Sequence, residues 1–323
     1  MIDQYARTID YMRISITDRC NLRCAYCMPE GVELSEQGQI LTYEEILRLC
    51  SLASSLGIKH IKITGGEPLV RKDAVSLLAN IKALPGIEHV TLTTNGVLLG
   101  EYVEELANIP IDGVNVSLDS LQPEKFKEIT GRDEFSRVWN ALQKLMKTGI
   151  TTKINCVVQR GVNENELMDM VELAVKMPLV VRFIEMMPIG YGKEFEPIKG
   201  EEIKHRILSK YPEVTSNRSV KGFGPANYIS AKDWKGSVGF IDPISHKFCS
   251  TCNRIRVTSK GFLKPCLCYG DGVDLLTLMR GGASDEELRS SILRAMEMKP
   301  LEHNFDHLEE SNIELREMYK IGG

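Results

Sequence analysis

Six of the nine cysteines in this 323-residue chain fall into two tight groups. Cys20, Cys24 and Cys27 are spaced C-x3-C-x2-C, and Cys249, Cys252 and Cys266 are spaced C-x2-C-x13-C. A structural zinc site closes a tetrahedron with four ligands, and a cubane iron–sulfur cluster is normally held by four thiolates. Three thiolates would hold three irons and leave the fourth open, which points to chemistry rather than scaffolding. The first group has no fourth soft ligand nearby in sequence. The second has Cys268 two residues beyond Cys266, so a zinc ribbon and an open cluster both remain readings there. Cys268 is either a spare buried thiol or a fourth ligand that closes the site. Arg254 and Arg256 lie two apart on a strand-like run, so both face one side. Two guanidiniums on one face are costly in a zinc knob and well suited to gripping a polyphosphate bidentately. Gly65-Gly66-Glu67-Pro68 follows an apolar strand. Its glycines allow close backbone approach, and its proline stiffens the exit. Cys50 and Cys156 sit inside apolar patterns and read as small core side chains.

These residues need a scaffold that brings distant loops together. From about residue 11 to 187 the chain alternates short apolar runs with amphipathic stretches. Strands are expected at 12–17, 60–64, 90–94, 113–118, 152–158 and 180–185. Helices are expected at 43–56, 72–84, 101–107, 124–129, 135–148 and 164–176. Thr42 reads as an N-cap, with Glu45 completing a capping box. Six strands with helical crossovers predict an α/β fold, an incomplete (β/α)6 barrel. In such barrels function sits at the C-terminal ends of the strands. The cysteine triplet, Gly65-Gly66, Thr93-Thr94-Asn95, Ser117-Leu118-Asp119 and Glu185-Met186-Met187 all fall at those ends. After Pro188 the chain is richer in Gly and Pro, with short strand-like runs at 227–230, 237–241 and 254–258. Ser284 then caps a helix over 284–298. The division expected is a partial barrel over 1–190 and a smaller region over 191–323 laid against it.

Composition narrows the class. Hydrophobic residues make up 43% and charged residues 26%, with a formal charge of −4. This is an ordinary globular balance, with no global basic field for nucleic acid or a membrane surface. Charged residues through the first thirty positions leave no signal-peptide core, and no apolar stretch reaches transmembrane length. A cytoplasmic location is therefore expected, and in that compartment grouped cysteines argue for metal over disulfides.

The first triplet, with Tyr26 just before its last cysteine, resembles the radical S-adenosylmethionine (SAM) family. The resemblance runs from Arg13 to the last glycine, through Arg13-Ile-Ser-Ile-Thr-Asp-Arg-Cys20, Lys62-Ile-Thr-Gly-Gly-Glu-Pro68, Leu92-Thr-Thr-Asn-Gly96, Asn115-Val-Ser-Leu-Asp119, Arg182-Phe-Ile-Glu-Met-Met187 and Phe248-Cys-Ser-Thr-Cys-Asn-Arg-Ile-Arg256. It is strongest to the members that open molybdenum-cofactor biosynthesis. That resemblance implies two 4Fe–4S clusters, on Cys20/Cys24/Cys27 and on Cys249/Cys252/Cys266. The first would bind and cleave SAM, and the second would hold the purine end of GTP. The implied reaction joins the ribose 3′ carbon of GTP to carbon 8 of guanine, giving (8S)-3′,8-cyclo-7,8-dihydroguanosine 5′-triphosphate. Tyr26, Gly66, Ser117 and Met187 align with SAM contacts. Arg13, Lys62, Thr93, Lys153, Arg254, Ile255 and Arg256 align with GTP contacts. Arg254, Arg256, Gly322 and Gly323 are implied in turnover, the glycines as a tail that reaches the active site. The partners implied are an electron donor and, by metabolic sequence, a downstream cyclic pyranopterin monophosphate synthase. The chain would work as a monomer or homodimer, with no nucleic acid and no membrane. Two positions depart from the family pattern: Cys268 is additional, and Lys62 stands where an arginine is expected, keeping the charge but losing the bidentate fork. Competing readings are another two-cluster radical SAM protein, such as a peptide-maturing enzyme, and a zinc-stabilised binding module without catalysis.

Overall fold

The computed structural model describes residues 1–217, 222–305 and 312–322. Its centre is six parallel strands in chain order: β1 (Tyr11–Ser15), β2 (His60–Thr64), β3 (His89–Thr94), β4 (Gly113–Ser117), β5 (Thr152–Val158) and β6 (Val180–Glu185). The crossovers carry α1 (Tyr43–Ser55), α2 (Ala74–Lys82), α3 (Leu99–Ala107), α4 (Pro123–Thr130), α5 (Phe135–Met146) and α6 (Leu167–Lys176). The expected order of elements holds, with boundaries shifted by one to three residues. Thr42 and Glu45 do form the capping box of α1. The second helix starts later than its pattern suggests, because Asp73 takes a left-handed conformation just before it.

The chain beyond residue 190 is not simply laid against this sheet. It continues the sheet at both edges. It runs through α7 (Gly200–Lys210), β7 (Thr215–Ser216), β8 (Asn227–Ser230), β9 (Ser237–Ile241), β10 (Arg254–Val257), β11 (Phe262–Lys264), β12 (Val273–Asp274), α8 (Leu275–Arg280), α9 (Asp285–Glu297) and α10 (Met318–Ile321). Strand β9 pairs parallel to β6, and β10 pairs parallel to β1. The hairpins β8–β7 and β11–β12 follow outside them in one twelve-stranded sheet. The physical reason is edge protection. An open parallel sheet leaves unpaired backbone groups on its first and last strands, and the C-terminal chain pairs both. Ser284 caps α9 as expected, and Glu287 completes a capping box with it.

Side-chain alternation sets the two faces. Met12, Ile14, Ile61, Ile63, Val90, Leu92, Val114, Val116, Ile154, Val181 and Phe183 belong to the main apolar core. The opposite face carries Arg13, Lys62, Thr91, Thr93, Asn115, Lys153 and Arg182, which are brought side by side by the strand registers. A closed barrel fills its interior with branched apolar residues. This open one presents a polar, cationic inner face instead.

Candidate active site

The first cysteine group lies in the loop after β1, and several contacts fix that loop. The backbone N–H groups of Arg23 and Ala25 donate to the carbonyls of Thr130 (2.7 Å) and Ile129 (3.1 Å), at the end of α4. The Arg23 guanidinium donates to the carbonyls of Cys20 and Leu22, each at 2.8 Å. Gly66 N–H donates to Thr17 O (2.6 Å) and Glu67 N–H to Arg19 O (2.8 Å). Gly66 is glycine for a steric reason: a Cβ there would lie 2.4 Å from Arg19 O and 2.7 Å from Asp18 O. Glu67 is fully buried and accepts from Leu69 N (3.0 Å), Thr94 Oγ1 (2.8 Å) and Asn95 N (2.6 Å), locking β2 to β3 at this rim. Tyr26 donates its hydroxyl to Asp119 Oδ2 at 2.6 Å. Ser117 closes β4 beside Asn155 of β5.

The thiols are electrostatically poised for a cation. Burial pushes Cys20 up to about 11. Burial and the neighbouring Cys20 push Cys27 up to about 12. Cys24 is raised well above its ordinary value, by burial and by Cys27. Three such sulfurs cannot ionise together without a positive centre between them, and an iron–sulfur cluster is such a centre. Asn95 Nδ2 (3.5 Å) and Leu22 N (3.4 Å) already donate to Cys20 Sγ, as second-sphere donors to a cluster ligand would. The donor set therefore fits that group.

The second cysteine group is built from three segments. Cys249 and Cys252 flank a short 3-10 turn, Cys266 follows β11, and residues 299–303 close over them. His303 N–H donates to Cys249 Sγ (3.4 Å). Lys299 is buried, and its ammonium donates to Cys252 Sγ (3.5 Å), Arg254 O (2.8 Å) and Pro265 O (2.8 Å). Burial pushes the Cys252 thiol up, but Lys299 and Arg254 outweigh it and hold it at about 7. Cys249 is raised by burial and by Cys266 and Cys252, so the three sulfurs feel one another. Cys268 is buried in a small apolar cluster with Ile189, Phe305, Ile313 and Ile321, against which Cys266 also packs.

Between the two groups the inner face forms a cage of six cations: Arg13, Lys62, Lys153, Arg182, Arg254 and Arg256. Burial lowers Arg13 to about 10 and Lys153 to about 8. Lys62 falls well below its ordinary value through burial and then through Arg182, Arg13, Lys153 and Arg254. Arg256 falls too, through burial, Arg13 and Arg254, with Cys252 and Cys266 acting the other way. Tyr11 and Tyr228, rather than carboxylates, are the groups that oppose the depression of Arg182. Thr93 Oγ1 and the Nε atoms of Arg182 and Arg254 are buried with no hydrogen-bond partner among the described residues. Buried donors without partners cost free energy, and so does crowding buried cations together, so the cage is complementary to a polyanion.

The expected residues are therefore gathered, with three qualifications. The Ile255 side chain is in the main apolar core, on the face away from Arg254 and Arg256. Met187 packs against the apolar cluster around Cys268. Gly322 enters the cage: its carbonyl accepts from Arg256 Nη1 (3.0 Å), and a Cβ on it would lie 3.0 Å from Ser15 Cβ. Gly323 lies outside the described residues. Sequence reasoning passed over Arg182, Tyr11, Asn115 and Tyr228 as site residues. The signal for Arg182 was available, since it is the one cation in an apolar strand, as are Arg13, Lys62 and Lys153 in theirs.

An open parallel barrel with a three-cysteine loop after its first strand defines the radical SAM class. The chain matches the radical SAM superfamily over residues 14–174 and the family described as Molybdenum Cofactor Synthesis C over 179–305. It is 44% identical over 324 residues to a GTP 3′,8-cyclase of Clostridium perfringens (strain SM101 / Type A), covering 100% of both chains. It is 46% identical over 330 residues to that of Syntrophomonas wolfei, again with 100% of both chains covered. The chain belongs to the GTP 3′,8-cyclase family. Among solved structures, Streptococcus suis SuiB bound to S-adenosylmethionine shares the fold, with a TM-score of 0.65 at 16% identity over 97% of this chain and 77% of SuiB. Among the described residues no helix is long and apolar enough to cross a membrane.

Proposed function

We propose that this chain cyclises GTP to 3′,8-cyclo-7,8-dihydroguanosine 5′-triphosphate, the first step of molybdenum-cofactor biosynthesis. The observation that carries the reading is the cation cage set between two cysteine triplets. Cys20, Cys24 and Cys27 would hold the SAM-binding 4Fe–4S cluster, and Cys249, Cys252 and Cys266 a second. The chemistry supplied by the first cluster with SAM bound is a 5′-deoxyadenosyl radical able to take the ribose 3′ hydrogen. The protein's own part is to bind, orient and exclude water. Gly66 keeps the cysteine loop against the ends of β2 and β3, with Tyr26, Ser117 and Met187 as the further SAM contacts. Arg13, Lys62, Thr93, Lys153, Arg254 and Arg256 bind the triphosphate, and Arg182 joins them. Preorganised cations with few competing partners lose little in reorganisation when the anion arrives. Ile255 contributes through its backbone at most, because its side chain is in the core. Cys268 acts as a buried apolar side chain and leaves the second site with three thiolates. Gly322, with Gly323 beyond it, completes the pocket from the side of Arg256. The division near residue 190 separates the part that handles SAM from the part that completes the GTP site; the two family matches, ending at 174 and starting at 179, support it. An electron donor is required by the chemistry, and the product passes to an enzyme that rearranges it.

Anaerobically reconstituted protein should carry about eight iron and eight sulfide per chain, as two cubanes require. With SAM, GTP and a strong reductant it should form 5′-deoxyadenosine and the cyclised nucleotide together. Deoxyadenosine formed with no dependence on GTP would overturn the substrate. Cys249→Ala should keep SAM binding and lose GTP conversion. Cyclisation by that variant would remove the role given to the second group.

A further inference from the structure

The two cysteine groups differ in what donates to their sulfurs. At the first group the donors to Cys20 Sγ are neutral amides, Asn95 Nδ2 at 3.5 Å and Leu22 N at 3.4 Å. At the second group an ammonium reaches a sulfur, with Lys299 Nζ 3.5 Å from Cys252 Sγ. Lys299 is buried, and the chain around it is held firmly. It follows the end of α9, and its N–H donates to Met296 O at 3.0 Å. Gln4 Nε2 donates to the carbonyls of Glu297 (2.9 Å) and Lys299 (3.3 Å). The Arg7 guanidinium donates to the carbonyls of Pro300 (2.7 Å), Leu301 (3.0 Å) and Cys249 (2.9 Å), which ties this segment to the cysteine turn. Arg7 is itself matched by buried Asp3, at 2.6 Å. Lys299 is matched differently. An ammonium offers three donors and no acceptor, and here they meet Cys252 Sγ, Arg254 O and Pro265 O, the two carbonyls at 2.8 Å each. Of those acceptors the sulfur is the one able to carry a full negative charge. The thiols register the difference: burial raises Cys252, yet Lys299 and then Arg254 bring it to about 7, whereas burial takes Cys20 up to about 11.

Net charge and hydrogen bonds to sulfur are among the factors that set the potential of an iron–sulfur cluster. A cation beside a ligand sulfur attracts the added electron and so favours the reduced state, and a charged donor does this more strongly than a neutral amide. We infer that Lys299 is a positioning residue that acts through Cys252 to set the reduction potential of the second cluster above that of the first. This inference rests on the reading that both cysteine triplets hold 4Fe–4S clusters. The bonds from Lys299 join the Cys249–Cys252 turn, the start of β10 and the residue before Cys266, so the ammonium has little freedom to leave the sulfur. An electron donor strong enough for the first site would then find the second already reduced.

The test measures midpoint potentials on the reconstituted full-length protein, by redox titration followed by electron paramagnetic resonance, without SAM or GTP. Cys20→Ala, Cys24→Ala and Cys27→Ala together leave the second site to load alone; Cys249→Ala, Cys252→Ala and Cys266→Ala together leave the first. At one applied potential the reduced-to-oxidised ratio of the second site should exceed that of the first at least about tenfold, or about 59 mV for one electron. Adding Lys299→Met should lower the ratio at the second site by about tenfold and leave that of the first within about twofold. Lys299→Gln keeps a hydrogen-bond donor without the charge, and should shift the second site in the same direction if Lys299→Met loads poorly. A merely structural role would reduce the iron content and leave the midpoint of the remaining second cluster unmoved. That result overturns the inference, as does a second-site midpoint at or below that of the first. If neither Lys299 variant loads, the order of the two midpoints with Lys299 in place decides. If the protein without the first triplet takes up no iron and sulfide, the two-cluster reading fails and the role of Lys299 falls with it. A loaded second site whose midpoint ignores Lys299 removes the role of Lys299 alone.

Discussion

Gly66 shows how one missing side chain can hold a metal loop in place. The carbonyls of Asp18 and Arg19 press onto its Cα, at distances where a methyl group would meet them at 2.7 and 2.4 Å. Backbone cannot rotate away as a flexible side chain can, so Gly66→Ala must move residues 18–19 and Cys20 with them. The variant should lose about half of its iron, the share of the first cluster if two cubanes are bound. Deoxyadenosine formation should fall at least about tenfold, while the second site stays loaded. Iron analysis with a SAM-cleavage assay decides this, and full loading with unimpaired cleavage would contradict the packing argument. The glycine pair was legible in the sequence as a place of close approach, but the identity of the approaching group was not. A sequence shows which residues lack a Cβ and cannot show whose carbonyl fills the space. Arg182 and Tyr228 escaped for a related reason. Arg182 looks like a lone cation in an apolar strand, and Tyr228 like one residue of a short mixed strand, until the registers put them opposite Asn155 and Gly239.

Elements near in sequence were readable, and elements paired at long range were not. The six central strands and their helices announce themselves by local periodicity, and the predicted capping box at Thr42 and N-cap at Ser284 both formed. Nothing local says that β10 lies beside β1 or that β9 lies beside β6. Those pairings meet an edge-strand requirement that is a property of the sheet. They also build the site, because pairing β10 to β1 sets Arg256 level with Arg13. The tail element is a similar case. Helix α10 ends in Gly322, which takes a left-handed φ of 81° and delivers its carbonyl to Arg256. A β-branched residue is strained there, and its Cβ would press on Ser15. Gly322→Val should therefore keep both clusters and bind SAM normally, yet form cyclised nucleotide at least about tenfold more slowly, the loss expected from misplacing a positioning element by about an ångström. Iron content and product formation measured on one preparation separate these effects. Turnover equal to that of the wild type would show that the tail conformation is incidental.

For the whole molecule, the sign of the charge inverts between outside and inside. The chain carries a formal charge of −4, yet its sheet encloses six cations. That arrangement makes stability depend on pH and on anions in a defined direction. Burial, and then the neighbouring Arg182, bring Lys153 down to about 8 from an ordinary 10.5. Below pH 8 Lys153 is charged in both folded and unfolded chains, and the folded state bears the full repulsion. Between about 8 and 10.5 the folded protein has released a proton that the unfolded chain still holds. The unfolded state then binds more protons, so stability rises with pH across that window, by up to about 3 kcal/mol from this group at 1.36 kcal/mol per unit. Lys62, also depressed, adds in the same direction. A polyanion in the cage relieves the same repulsion and keeps Lys153 protonated, so the two effects oppose each other. Tripolyphosphate should therefore raise the anaerobic melting midpoint more at pH 7 than at pH 9.5. Lys153→Met should reduce that difference, because its side chain carries no proton to lose. Equal anion-induced shifts at the two pH values, in wild type and variant alike, would mean that the buried charges are compensated within the protein and that the cage is not held open for a triphosphate.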